Sequence, residues 1–403
     1  MSARPARVLR VRTGTVVAPW NQPARELTIL GRPLSERQEI VLRRLGLRVD
    51  GEVEPDEAGA DASALYLDDD LDLAAGTLRA WLKVAESGAA MAIAERPKRL
   101  GELEVERQAW YRDSAVGDEM LPGAEPVRAL GVRWGNGARL VRVEPLGLTG
   151  KGTLPGPFGD GQTLEWAIDM RTGVTVRHWV HRLRATYAAI GVEIWERMVL
   201  RPWSTLWTIA RWPLHPRLSL VGRNCQIHPT AVLDGCILGD GVHIGAYSVL
   251  RGCWVGDGTH VEDHVTARLS AIGPRAHVGN YSMFNLSTIG ERSSIGHIGA
   301  QACAIGDDCF VSTFATLHDL NLRGNVRVRW GDRVLDTGVP FLGVALGNGV
   351  RLGAGVTIAS GRDVPNGVHV VAEGAIGRIP ADLAPGEYRA VGGRLVAETD
   401  EAT

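Results

Sequence analysis

The stretch ILGDGVHIGAYSVLRGCWVGDGTHVEDHVTARLSAIGPRAHVGNYSMFNLSTIGERSSIGHIGAQACAIG, residues 237–306, decides the fold. An aliphatic residue followed by Gly recurs at Leu238, Val255, Ile272, Ile289 and Ile305, at steps of 17, 17, 17 and 16 residues. A second column lies six residues on, at Ile244, Val261, Val278, Ile295 and Val311. The six-residue step returns at Leu346, Leu352, Ile358, Val364 and Val370. A fixed short period of this kind means a solenoid. Each coil is read as three flat strands of about six residues, one per side of a triangular prism. The aliphatic residue points inward and stacks on its copies, and the small residue beside it makes the corner. The same geometry accounts for the glycine excess, because 26 of the 50 glycines lie between residues 221 and 380. A helical reading fails, since Gly at this spacing and so many β-branched residues disfavour a helix.

Around this core lies a chain of 403 residues, enough for two or three domains at roughly 100–200 residues each. Hydrophobic residues at 45% and charged residues at 22% exclude a disordered chain. The 44 basic and 46 acidic side chains leave a formal charge of −2, so nothing draws the protein toward nucleic acid or an anionic membrane. No stretch reaches ~18 uninterrupted apolar residues, so a spanning helix is not expected. The N-terminal text MSARPARVLRVRTGT lacks an apolar export segment, and a cytoplasmic location is the expectation. The five cysteines, Cys225, Cys236, Cys253, Cys303 and Cys309, contain no C-x-x-C pair and read as small core residues.

Four segments follow. Residues 1–165 form an α/β domain. Here 31–47 has helical spacing, with Leu34, Gln38, Val41, Leu42 and Leu45 on one face. ALYLDDD (64–70) reads as a buried strand ending in acids, and 73–85 as the helix after it. That order suggests a site at the strand's carboxyl end. The glycine- and proline-rich stretch 147–163 reads as a linker or long loop. Residues 166–216 form a helical connector rich in tryptophan: Trp166, Trp179, Trp195, Trp203, Trp207 and Trp212. It is read as packing against the domain that follows; the alternative is weak contact with a membrane surface. Residues 217–380 are the solenoid and 381–403 a C-terminal tail.

The six-residue rule resembles that of the hexapeptide acyltransferases, whose fold is a left-handed parallel β-helix. The text ATLHDLNLRGNVRVRWGDRVLDTGVPFLGVALGNGVRLGAGVTI (315–358) is similar to the late coils of the bifunctional sugar-1-phosphate nucleotidyltransferase/hexapeptide-repeat acyltransferase family, where an irregular loop interrupts the coils. The N-terminal text TGTVVAPWNQPARELTILGRPLSERQ (13–38) resembles that family's phosphate loop at Gly14, Thr15, Pro19, Gly31, Pro33, Leu34 and Gln38. The family's essential Arg is replaced by Val16, and its Lys position holds Ala24 or Arg25. The resemblance therefore implies a nucleotidyltransferase-like, degenerate N-domain with a mixed sheet. Asp68, Asp69 and Asp70 stand where the family binds its metal, with Mg expected only if that domain is active.

For the β-helix the resemblance implies a homotrimer that moves an acyl group from acyl-coenzyme A to a sugar or nucleotide-sugar acceptor. Such transfer needs a general base and donors for the oxyanion. Eight of the eleven histidines lie in the coils. Counting register places Ala246, Asp263, Asn280, His297 and Thr313 one above another, about 4.8 Å apart, as a polar ladder. His297 lies in an I-x-H context similar to that of the catalytic histidine, and Asn280 or a backbone carbonyl would fix its tautomer. His318, beside Asp319 at the mouth of the interruption (319–341), is the other candidate base. The family's loop leans over a neighbouring subunit, so Asp319 and Arg323 are expected at the substrate, with Gly14 and Thr15 as the N-domain's contacts. Gly343, Arg351, Ala359 and Arg362 are expected to hold coenzyme A. Two rivals to the acyltransferase remain: a non-catalytic assembly or ligand-sensing protein, and a nucleotidyltransferase using the β-helix as a trimerisation stalk.

Overall fold

The computed structural model describes residues 5–94, 120–121, 127–143, 147–153, 163–169, 171–200, 219–337, 340–371, 388–391 and 394–397. The N-terminal part is a mixed sheet. Arg7–Val11 pairs in parallel with Gly51–Val53 on one side and Ala64–Asp68 on the other. Val127–Trp134 then runs antiparallel to Ala64–Asp68 and Ala89–Ala94, with Arg139–Val143 at the edge. Helix α1 (Leu34–Arg44) buries Leu34, Gln38, Val41 and Leu42, the face that its 3–4 spacing announces. Helix α2 (Ala75–Leu82) buries Leu78 and Trp81 behind the sheet.

Two boundaries differ from the sequence reading. At the ends of the stretch 147–163, expected to be a linker or long loop, Gly147–Thr153 pairs antiparallel with Thr163–Asp169; residues 154–162 lie outside the described residues. Helical structure does not begin at 166 either. Gly173–Thr175 pairs with Leu71–Leu73, returning the chain to the first domain, and helix α3 runs Trp179–Leu200. Strand-forming alternation wins up to residue 175, and the apolar helical face starts only after it. Trp203, Trp207 and Trp212 lie outside the described residues. The tail carries a hairpin of Tyr388–Val391 with Arg394–Ala397.

From Leu220 the chain winds as a parallel β-helix with three faces. The first face stacks eight strands from Leu220–Val221 to Asp363–Val364, and the second stacks eight from Gln226–Ile227 to His369–Val370. The third holds five, from Val232–Asp234 to Gly299–Gln301, and resumes with Thr316–Leu317 paired to Thr357–Ile358. Leu238, Val255, Ile272, Ile289 and Ile305 stack in one interior column; Ile244, Val261, Val278, Ile295 and Val311 stack in the next. The third column alternates size: Phe284 sits between Ala267 and Ala300 in register, so one ring fills space that two alanines leave.

The corners follow from small polar residues. Cys236, Cys253, Ser270, Ser287 and Cys303 each bond back to the carbonyl two residues earlier, closing the turn. Burial pushes the Cys303 thiol up to about 12 and that of Cys309 up to about 11, as expected of inert core sulfur.

The outward residues separate the faces. On the first face Ala271, Thr288, Ala304 and Ala345 point outward yet are buried, because α3 and the segment 17–34 cover them. Small side chains allow that approach. On the second face the outward positions hold Gln226, His243, His260, His277, Ser294, Phe310, Arg351 and His369, and this face is open to solvent or half-buried.

Candidate functional site

The ring ladder along one corner is the principal candidate. Tyr247, His264, Tyr281, His297 and Phe314 succeed one another with centroid separations of 5.2, 4.9, 5.9 and 5.4 Å. The register shows why His297 joins them. Val278 faces Ile295, 17 residues on, but Met283 faces Gly299, only 16 on. The turn Gly279–Asn280–Tyr281–Ser282 is thus replaced by the shorter Gly296–His297–Ile298. The residue omitted is the one with positive φ, the conformation shared by Tyr247, His264, Tyr281 and Phe314, and the tilted His297 ring leans into the space between Tyr281 and Phe314.

In the expected ladder of Asp263, Asn280, His297 and Thr313, His297 keeps the backbone position, its carbonyl accepting from Phe314 as that of Asp263 accepts from Tyr281. Asp263 accepts from the Ala246 N–H at 2.6 Å, and Asn280 accepts from the Asp263 N–H at 2.9 Å. Their carbonyl-type oxygens bind one coil down the stack, which is a structural task. The His297 imidazole is exposed, lies between Tyr281 and Phe314, and its carbonyl accepts the Phe314 N–H at 3.0 Å.

His318 is also exposed, with its N–H donated to the Ile358 carbonyl. Asp319 is half-buried, which raises its carboxyl, and its carbonyl accepts the Leu342 N–H where the coils resume. Arg323 is exposed at the loop tip, its N–H donated to the Asn321 side chain.

The interruption itself is a hairpin of Arg327–Trp330 with Arg333–Asp336. Instead of standing free, it packs on its own chain. Val326 and Val328 are buried against α3, and Trp330 stacks on His178 at 5.2 Å. His178 donates from Nε2 to the Arg329 carbonyl at 2.9 Å and accepts the Val180 N–H at Nδ1, so the imidazole is held neutral. Burial, then the neighbouring His181, pulls it down to about 3.

The four positions expected to hold coenzyme A divide. Arg351 and Ala359 are exposed on the coils. Arg362 is exposed but donates to the Arg327 carbonyl at 3.2 Å, beneath the hairpin. Gly343 is buried: a Cβ there would come within 2.3 Å of the Gln301 carbonyl and 2.5 Å of Cys303 Sγ. A side chain at this position would clash with backbone where the coils restart.

In the N-domain, the acids that follow the central strand are engaged by protein groups. Asp69 accepts from Thr13 N and Oγ1 at 3.0 and 2.6 Å. Asp70, fully buried, accepts from Thr15 Oγ1 at 3.1 Å and from Arg177 at 3.0 Å. Asp68 pairs with Arg133 at 3.3 Å; burial and then Asp70 push its carboxyl up to about 6. Gly14 lies exposed between the two threonines with φ of +68°. The segment just after this loop is docked on the β-helix. Trp20 is buried, donates to the Leu346 carbonyl at 3.1 Å and receives the Asn366 side chain on its own carbonyl at 2.7 Å. Arg182 of α3 lies 4.4 Å over its ring. Among the described residues, no helix is long and apolar enough to cross a membrane.

One cluster was missed from the sequence. His260, Glu262 and His277 bring three donor atoms within 4.8 Å of one another on the second face. The signal was present as histidines at a 17-residue step, His243, His260 and His277, with Glu262 two residues after one of them.

The sequence profile described as Bacterial transferase hexapeptide (six repeats) matches residues 219–252. No curated protein matches the chain. Among solved structures, a variant of GDP-perosamine N-acetyltransferase from Caulobacter crescentus, in complex with CoA and GDP-perosamine, is 19% identical. The match covers 38% of this chain and 54% of that one, with a TM-score of 0.17. The acetyltransferase domain of PglB from Neisseria gonorrhoeae, in complex with acetyl coenzyme A, is 23% identical over 38% and 54%, with a TM-score of 0.16. A hexapeptide transferase family protein from Anaplasma phagocytophilum is 18% identical over 36% and 70%, with a TM-score of 0.20. The chain thus spans about half the length of the first two. Residues 219–252, the first coils of the stack, are thus similar in sequence to the bacterial transferase hexapeptide repeat.

Proposed function

We propose that the protein is an acyltransferase that moves an acyl group from acyl-coenzyme A to a sugar or nucleotide-sugar acceptor, with His297 as general base. The observation that carries this reading is the His297 imidazole, exposed and held between the rings of Tyr281 and Phe314. An aromatic wall on either side offers apolar faces on which a sugar or a base would stack. The imidazole would take the proton from the attacking amine or hydroxyl as the thioester carbonyl is attacked, and coenzyme A thiolate would leave. Backbone N–H groups of the corners would stabilise the oxyanion. Arg351 is free to meet a phosphate of the donor. The left-handed coil sense and the trimer belong to the same proposal, as does assembly through surfaces other than the first face, which α3 covers.

The N-domain is assigned a supporting role. With Val16 at the family's Arg position, Asp69 and Asp70 holding Thr13 and Thr15, and Trp20 docked on the coils, its loop acts as a domain joint. The test is a thermal-shift screen with coenzyme A thioesters and nucleotide sugars, followed by thiol release with the acceptors that bind. His297→Ala should keep the circular dichroism and the oligomer of the parent and lose roughly 10²–10⁴-fold in transfer. A mutant of equal activity removes His297 as the base. A parent chain stabilised by no thioester removes the acyltransferase reading.

A further inference from the structure

The second face carries a set of side chains that acyl transfer at His297 does not use. His243, His260 and His277 are the outward residues of three consecutive strands and pair directly in register. Their rings stack: His243 on His260 at 4.3 Å and 3°, His260 on His277 at 5.5 Å and 10°. Glu262 lies two residues after His260, so the alternation of the strand puts it outward on the same side. Its Oε1 is 3.2 Å from His260 Nε2 and 3.1 Å from His277 Nε2. Gly245 and Gly279 flank Glu262 in the coils below and above, and neither adds a side chain to crowd it.

We propose that His260, Glu262 and His277 form a binding site for a divalent transition ion of the Zn²⁺ class. Two imidazole nitrogens and a carboxylate oxygen are a ligand set suited to such an ion. The spacing fits. With ligand bonds of about 2.1 Å, the edge of a tetrahedron is about 3.4 Å, and the two nitrogen–oxygen separations need to open by only a few tenths of an ångström. Side chains in adjacent coils at one register are already held by the backbone ladder, so most of the ordering cost is met in the fold. The ion would join the 260 and 277 coils and keep an outer coordination position for water. His243 lies on the other side of the His260 ring and restricts its rotation.

The test uses the full chain, purified with chelator, and Zn²⁺ alone in equilibrium dialysis. One Zn²⁺ per chain is expected, with a rise in the thermal midpoint because only the folded chain presents the three ligands together. Co²⁺ in its place should give the visible absorption of a low-symmetry nitrogen–oxygen site. Loss of outer partners already weakens metal sites roughly 10–100-fold, so removing a ligand should cost at least ~100-fold in His277→Ala and in Glu262→Gln. His369→Ala, at the same outward position four strands on, should bind as the parent does. Circular dichroism and oligomer size check that each variant is folded. Absence of stoichiometric binding, or binding that persists unchanged in both ligand variants, overturns the site.

Discussion

Replacing Asp68 by Asn should stabilise the N-domain, and by an amount that depends on pH. Asp68 ends the central strand with most of its side chain covered. Its carboxyl stands at about 6 because burial, and then Asp70, outweigh the pair with Arg133. In the unfolded chain the same group titrates near 3.8. Between these values the folded state holds a proton that the unfolded state has released. The contribution of Asp68 to stability therefore falls as pH rises from about 4 to about 6, and the cost is then constant above it. Two pKa units at about 1.4 kcal/mol each put that cost near 3 kcal/mol, with the Arg133 pair already counted in the shift. Asn carries no charge to bury, so Asp68→Asn should gain about 1–3 kcal/mol at pH 8 and almost nothing at pH 4. His178 titrates in the opposite sense, since its lowered value makes folding lose stability as pH falls below 6.5. The difference between parent and variant cancels that contribution. The measurement is urea denaturation across this range, read by the fluorescence of Trp81 and Trp134, both buried in this domain. A variant less stable than the parent at pH 8, or a difference that does not change with pH, would refute the reasoning.

Phe284→Ala should cost about 3–5 kcal/mol in the β-helix transition, because Ala267 and Ala300 on either side leave the space unfilled; calorimetry would read it. Gly343→Ala should prevent the late coils from seating, since the contacts at 2.3 and 2.7 Å are to backbone oxygen and cannot move aside; raised hydrogen exchange at residues 345–364 is the expected result. Trp20→Phe should weaken the docking of the N-domain by about 1–3 kcal/mol by leaving the Leu346 carbonyl without its donor, visible as faster proteolysis between the domains.

What the sequence by itself determined is the coil. Its period of about 17 residues forces each inward aliphatic residue to stack on its copy, and the burial of Leu238, Val255, Ile272 and Ile289 follows from counting alone. The face of α1, the presence of α2 and the acid-ended strand were equally legible, because they rest on local alternation and 3–4 spacing. The helix start and the 147–169 hairpin were not, because strand pairing with residues distant in sequence overrides local composition.

The candidate site was legible only in part. His297 is exposed as register counting foretold, but its turn is one residue shorter, so its ring leans between Tyr281 and Phe314. Counting from the strands treats each turn as equal, and only the folded turn reveals which residue it omits. Tertiary structure alone decided that Trp20 docks on the coils, that the 327–336 hairpin folds back on α3, and that Glu262 reaches two imidazoles at once. The physical reason is common to all three. Each depends on where long side chains meet after separate segments pack, and the repeat specifies the backbone ladder without specifying what is laid against it.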